Sequence, residues 1–173
     1  MGSWTVAAPA SGVVLHLAST ARGICGISFV QSTPEFLLQL ANTTGNEEWE
    51  RDRDPLLVEA VHQIEEYFSG DRKEFQLALD LRGTLFQQRV WQALQEIPYG
   101  QTRSYVDIAR LLGSPGAARA VGAANGSNPV AIVVPCHRVV ASGGGLGGYG
   151  GGLELKRRLL ALESGSKPLL NLF

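Results

Sequence analysis

Of the two cysteines in these 173 residues, one stands among side chains that could use it. Cys136 follows Pro135 and precedes His137 and Arg138. A thiol attacks as its thiolate, and a neighbouring His or Arg lowers its pKa. The apolar run Ala131-Ile132-Val133-Val134 reads as a short buried strand, and Pro135 should break it, because proline donates no ladder hydrogen bond and keeps its predecessor extended. Cys136 is then expected at the edge of a core. Neighbours on an extended strand point to opposite sides, so His137 should reach the sulfur through a water or a third residue. Glu163, at the end of the last helix, could fold back towards His137. A bare Cys-His pair is weak evidence by itself.

Eight glycines lie between Gly143 and Gly152, around Leu146 and Tyr149. They lack the Gly-Lys-Ser/Thr of a phosphate loop. Glycines let backbone amides approach a flat ligand, so the run reads either as a nucleobase pocket walled by Tyr149 or as a plain surface loop. Cys25 alternates with glycine and serine beside Ile27 and Phe29, and reads as a small buried hydrophobe.

The elements that must position these groups fall into two parts. Val13–Leu17 and Ile24–Val30 are β-prone runs separated by Ala21-Arg22-Gly23. Pro34 and Asp54-Pro55 each open a helix, the second ending at Gly70. Residues 42–54 read as a polar loop, and the alternation of Phe75, Leu77, Leu79 and Leu81 predicts a strand. Gly83 is the expected boundary between a domain over 1–83 and one over 84–163, with 164–173 as a tail.

Beyond it, Thr84 caps a helix with Phe86, Val90, Ala93, Leu94 and Ile97 on one stripe, stopped by Pro98-Tyr99-Gly100. Ser104-Tyr105-Val106-Asp107 resembles a capping box for a helix to Leu112, with Gly113 as its turn. Ser114-Pro115 is expected to start the next helix, through Ala117, Ala118, Arg119, Ala120, Val121 and Ala124. Two helices joined by a glycine turn fit a helix-turn-helix. The second offers Arg119 alone as a long side chain. Reading base edges in the major groove needs several such side chains, so a minor-groove approach with Arg119 as a single probe fits better. Buried alanines packing the domain are the bland alternative.

Bulk properties bound the choice. The net charge of −1 divides into 6 Lys/Arg against 12 Asp/Glu over residues 1–83 (−6) and 9 against 4 over 84–173 (+5). A basic half suits a polyanion, though two solvated surfaces of opposite sign would look alike. The start has no basic flank, apolar run or cleavage site, and no stretch approaches a membrane span. Two cysteines without a CxxC pair argue for a reducing compartment and against a disulfide scaffold or a four-cysteine zinc site.

Taken together, Pro135-Cys136-His137-Arg138-Val139-Val140 resembles the active-site signature of the O6-alkylguanine-DNA alkyltransferase family. Phe86-Gln87-Gln88-Arg89-Val90-Trp91, Ile97-Pro98-Tyr99-Gly100, Ala117-Ala118-Arg119-Ala120-Val121-Gly122, Asn128-Pro129 and Gly148-Tyr149-Gly150-Gly151-Gly152-Leu153 also match, in order. The likeness is strong from Gly83 to Glu163 and general before that. It implies a small N-terminal β-sheet with helices, ribonuclease-H-like, and a mainly helical C-terminal domain with a helix-turn-helix and a short active-site strand. Cys136 would accept the alkyl group; His137 would act as base through a water, with Glu163 orienting it. Tyr105 would sit near the flipped nucleotide's phosphate and donate towards guanine. Arg119 would replace the extruded base, with Ser104, Ala118, Ala120 and Gly122 against DNA. Asn128 would hold the turn into the catalytic strand, and Arg138, Val139, Tyr149, Gly150 and Gly151 would complete the pocket and hinge.

Some relatives have serine at Gly150 and arginine at Gly126; the missing hydroxyl removes one contact to the lesion oxygen. Vertebrate-type relatives hold zinc, whereas Cys25, His16 and His62 are too few ligands, so no metal and no cofactor are expected. The implied partner is double-stranded DNA with alkylated bases, met by an intracellular, cytoplasmic protein (nucleoid-associated in a bacterium) without membrane contact. A monomer is expected in solution, with cooperative assembly on DNA left open. Three rivals stand beside this reading: a Cys-His thiol hydrolase with turnover, a non-enzymatic lesion binder, and a gene regulator.

Overall fold

The computed structural model describes residues 1–7, 12–29, 32–45, 48–51 and 54–165. The chain divides into two compact units between Arg82 and Gly83. Val30, part of the 42–54 segment and the tail from 166 lie outside the described residues.

The first unit is a four-stranded sheet covered on both faces. Strands β1 (Gly2–Ala7), β2 (Leu15–Thr20) and β3 (Gly23–Ser28) pair antiparallel in sequence, and β4 (Trp49–Arg51) adds parallel to β1, giving the order β3-β2-β1-β4. All six residues of β2 are buried, as expected of a strand with helices on both sides. Helix α1 (Thr33–Thr44) lays Phe36 and Leu40 against Ala18 and Cys25. Helix α2 (Pro55–Ser69) covers the opposite face with Leu57, Ala60, Ile64 and Phe68. Both begin at a side-chain cap followed by proline: Ser32 accepts from the Glu35 amide and Asp54 from the Leu56 amide. The predicted loop over 42–54 therefore needs correction, since α1 runs to Thr44 and β4 lies inside it.

The predicted strand over 75–81 is also corrected. Only Leu79 bridges to the sheet, beside Ile24, with Ile24 N donating to Ala78 O at 2.8 Å and Asp80 N to Ile24 O at 2.9 Å. Upstream, the Gln63 side chain takes the backbone instead: Gln76 N donates to its Oε1 and its Nε2 donates to Gln76 O. Side-chain amides have displaced the ladder that the alternation called for.

In the second unit Thr84 and Gln87 form a reciprocal capping box at the start of α3 (Leu85–Gln95). Its buried face includes Trp91, whose Nε1 donates to Ala124 O at 2.8 Å and so ties it to α5 (Ala118–Gly126). Ser104 and Asp107 form the second box, opening α4 (Tyr105–Leu111), and Gly113 turns the chain at φ +71°. Helix α5 starts later than Ser114-Pro115: those residues form a turn, and Ala117 caps the helix without a side-chain bond. Strand β5 (Arg103–Ser104) pairs parallel with β6 (Val139–Val140), which sets the start of α4 beside the Cys136 segment. Helix α6 (Leu153–Glu163) closes the unit.

Candidate active site

The run before Cys136 is a tight turn rather than a strand. Val134 N donates to Val130 O at 3.0 Å, and Ile132 at its apex has φ +72°. Ile132 is the one non-glycine residue with positive φ among those described, in a region that β-branched side chains rarely enter. Asn128 braces the turn from both ends: Nδ2 donates to Val134 O at 2.8 Å and Oδ1 accepts from Val130 N at 3.0 Å. Cys136–Arg138 then form a single 3₁₀ turn. The strand expected over Ala131–Val134 is not formed, because these internal bonds consume the backbone groups a ladder would use.

Cys136 is 6% exposed and His137 is fully buried. Burial pushes the Cys136 thiol up, while Asn128, the Lys156 charge and the amides of Cys136 and His137 favour the thiolate. The sequence pointed to His137 and Arg138 as the groups that lower it, and the structure corrects that. Burial holds His137 neutral, and Arg138 is spent on Glu163.

Glu163 accepts from His137 Nε2 at 2.9 Å, from Arg138 Nη2 at 2.8 Å and from Gly100 N at 3.1 Å. Burial pushes its carboxyl up, but the hydrogen bonds and charges of His137 and Arg138 prevail and bring it to about 2. With Glu163 ionised and His137 neutral, the Nε2 proton faces the carboxylate and Nδ1 is the ring's acceptor. Arg138, expected in the pocket, instead lies buried, donating to Ile97 O at 2.6 Å with its guanidinium 5.8 Å from the Tyr99 ring centre. Gly100 has φ +76°, and a Cβ there would stand 2.9 Å from Glu163 O, so the Ile97-Pro98-Tyr99-Gly100 segment forms the bed of this carboxylate.

Tyr149 meets the His137 ring edge-on at 6.4 Å between centres. Burial, then the Cys136 and Glu163 charges, push its phenol well up. Tyr105 lies between α5 and the glycine loop: a Cβ on Gly122 would stand 3.8 Å from its ring, and one on Gly147 would overlap its hydroxyl at 2.6 Å. Burial and then the Cys136 charge raise the Tyr105 phenol. Gly150 is exposed with open space about its Cβ position, and Gly151 is half-buried. Arg119 and Ala120 project from the exposed face of α5, Ala118 and Gly122 are half-buried, and Ser104 is engaged in its cap.

Lys156 was missed. Its side chain is fully buried, with Nζ donating to Val139 O at 2.6 Å, to Leu146 O, and to Gly148 O at 3.4 Å. It pins the glycine loop to β6 while facing the thiol with its charge. The signal was its place three residues before Leu159 and seven before Glu163, on the inward stripe of α6. The exposed Arg157 and half-buried Arg158, both bridged to Glu154, disguised it as part of a basic run. Among the described residues no group of three His, Cys, Asp or Glu is placed to hold a metal ion.

Comparison with known proteins agrees with this arrangement. Residues 14–81 match the 6-O-methylguanine DNA methyltransferase ribonuclease-like domain, and residues 85–165 match the DNA binding domain of the same name. The chain belongs to the 6-O-methylguanine DNA methyltransferase family. Its relatives include the methylated-DNA–protein-cysteine methyltransferase of Mycolicibacterium paratuberculosis, 63% identical over 63% of this chain and 66% of that protein. The constitutive enzyme of Bacillus subtilis is 54% identical over 66% of this chain and 70% of its own. The crystal structure of Mycobacterium tuberculosis OGT in complex with DNA superposes with a TM-score of 0.82 at 44% identity, covering 97% of this chain and 98% of that one. The two-part fold, a ribonuclease-like sheet domain before a mainly helical DNA-binding domain, is that of the family.

Proposed function

We propose that this chain repairs DNA by moving the alkyl group of O6-alkylguanine onto Cys136, once per molecule. The observation that carries the reading is the buried His137–Glu163 pair directly behind a buried thiol. The Cys136 proton passes to His137 Nδ1 through a water, and Glu163 holds the imidazolium that results. The thiolate attacks the alkyl carbon in line; the S–C bond forms as the C–O bond breaks, and the electron pair goes to the guanine oxygen, with a proton taken up at N1. The product is a thioether, which has no carbonyl for water to attack, so the protein is consumed.

A base inside a duplex must first be extruded. Arg119, exposed on a face of α5 otherwise made of Ala120 and Ala123, fills the gap from the minor groove. Tyr105 receives the flipped nucleotide, the Val139 and Gly150 backbone with the Tyr149 ring lines the pocket, and Asn128 keeps the Cys136 turn in place. The mycobacterial relative's DNA complex and the +5 half support duplex DNA as the partner, met by a monomer inside the cell. No described helix is long and apolar enough to cross a membrane. Intact-mass measurement after mixing with duplex DNA bearing O6-methylguanine should show one added methyl per chain. No mass gain would refute the reading, and repaired DNA in excess of protein would favour a hydrolase with turnover.

A further inference from the structure

Seven arginines stand in the second unit, Gly83–Lys167, and they divide by what answers their charge. Four are ion-paired: Arg110 to Asp107, Arg138 to Glu163, and Arg157 and Arg158 to Glu154. Arg89, Arg103 and Arg119 are exposed and have no carboxylate within 4.0 Å among the described residues. Arg119 is assigned above to the gap left by the flipped base.

The other two sit at opposite ends of α4. Arg103, on β5, leads into the Ser104 cap, and its guanidinium donates to Thr102 O at 3.0 Å and Gln101 Oε1 at 3.4 Å, both neutral. Asp107 is near, but its carboxyl is held low first by the Ser104 hydrogen bonds and only last by the Arg103 charge. Arg89 reaches from α3 to the other end of α4, where Nη2 donates to Leu112 O at 3.0 Å just before the Gly113 turn. That bond uses one of five guanidinium N–H donors.

Both places adjoin the residues that meet DNA. The β5–β6 register sets Arg103 beside Val139, and Tyr105 follows two residues later. The turn that Arg89 braces leads into α5 and Arg119. The seven residues of α4 span about 10 Å, roughly three phosphate steps along one strand. Cations at its two ends can therefore each meet a separate phosphate.

We propose that Arg89 and Arg103 are phosphate-binding residues that grip undamaged and damaged duplex alike, carrying the search for lesions while Arg119 carries extrusion. The assignment rests on the DNA-repair reading. Phosphate contacts position a protein without reading sequence, so this grip is the same before and after the base leaves the stack. Such uniform binding raises affinity and leaves the rate of the bound complex unchanged.

The test separates grip from rate. Binding of an undamaged duplex is titrated across a range of salt, and single-turnover transfer from an O6-methylguanine duplex is followed against protein concentration. Arg103→Gln and Arg89→Gln should each weaken binding of undamaged DNA about tenfold at low salt. Each should also reduce the slope of log affinity against log salt by about one. The protein concentration for half-maximal transfer should rise by the same factor, with the maximal rate as in wild type. Arg103→Lys and Arg89→Lys, which keep the charge, should restore the slope. Arg157→Gln, which removes a charge already answered by Glu154, should leave it unchanged. Free O6-benzylguanine needs no phosphate contact, so every variant should react with it at the wild-type rate if folded. If Arg89→Gln fails that check, Arg103→Gln, whose bonds are to its own neighbours, decides alone. A wild-type salt slope in Arg103→Gln, or a lower maximal rate at unchanged half-saturation, overturns the proposal and leaves the alkyl-transfer reading intact. No transfer from any duplex by wild type overturns both.

Discussion

Cys25 and Cys136 are both free thiols, 1% and 6% exposed, and they teach different things about burial. Cys25 sits among Ala18, Phe36 and Leu40, with Trp4 and Trp49 packed nearby. Cys136 has as little contact with solvent but is ringed by Asn128, Lys156 and the His137–Glu163 pair. Burial alone makes a thiol inert; a buried cation and directed donors make it a nucleophile. The contrast lies in what each local backbone admits. Strand β3 sets Cys25 in an apolar cluster under α1, whereas the Val130–Val134 turn and its 3₁₀ continuation bring amides and the Asn128 carboxamide to Cys136.

The sharpest way to break this comparison is exchange at each cysteine. Cys136→Ser should abolish methyl transfer, and peptide mapping of wild type should find the methyl on Cys136 and none on Cys25. Methyl on Cys25 would erase the distinction. The next effect separates proton handling from DNA handling. His137→Ala should slow both duplex DNA and free O6-benzylguanine, by about 10²-fold or more, because the thiol loses its base. Arg119→Ala should slow the duplex severely and leave the free base nearly unaffected. Equal losses on both substrates would mean that Arg119 supports the fold or the pocket.

Glu163 gives a third, smaller test, in stability. Its carboxyl is held at about 2, below its unfolded value, so the stabilisation is complete above about pH 4.5 and is lost as pH falls towards 2. Glu163→Gln should cost roughly 3 kcal/mol at neutral pH, because Arg138 keeps its buried charge without a partner. Its melting temperature should vary less than wild type's across that acid window, and a parallel pH profile would refute the assignment. The smallest effect belongs to Cys25→Ser, which places a hydroxyl in an apolar cluster. It should cost about 1–3 kcal/mol in denaturant titration with full methyl transfer per folded molecule.

The parts of the site visible in the sequence are those written in local chemistry. The Ser104–Asp107 box, the Gly113 turn and the inward end of α6 at Glu163 follow from neighbours within a few residues. The parts that were hidden depend on distant partners. The β1–β4 pair joins residues more than forty apart, and the two-residue β5–β6 ladder is too short for any periodicity to show. Asn128 makes a turn out of Ala131–Val134, four residues whose composition favours a strand. Lys156 stands in a run of three basic residues, and only its phase on α6 shows where it points.

The left-handed Ile132 has a consequence for where reactivity resides. A β-branched residue held in that region stores about 1–3 kcal/mol, which only the surrounding packing and the two Asn128 bonds sustain. A synthetic peptide spanning residues 128–140 would have every atom of the Cys136 motif and would relax to extended backbone, with an ordinary cysteine. The nucleophile therefore belongs to the folded unit rather than to its six-letter signature.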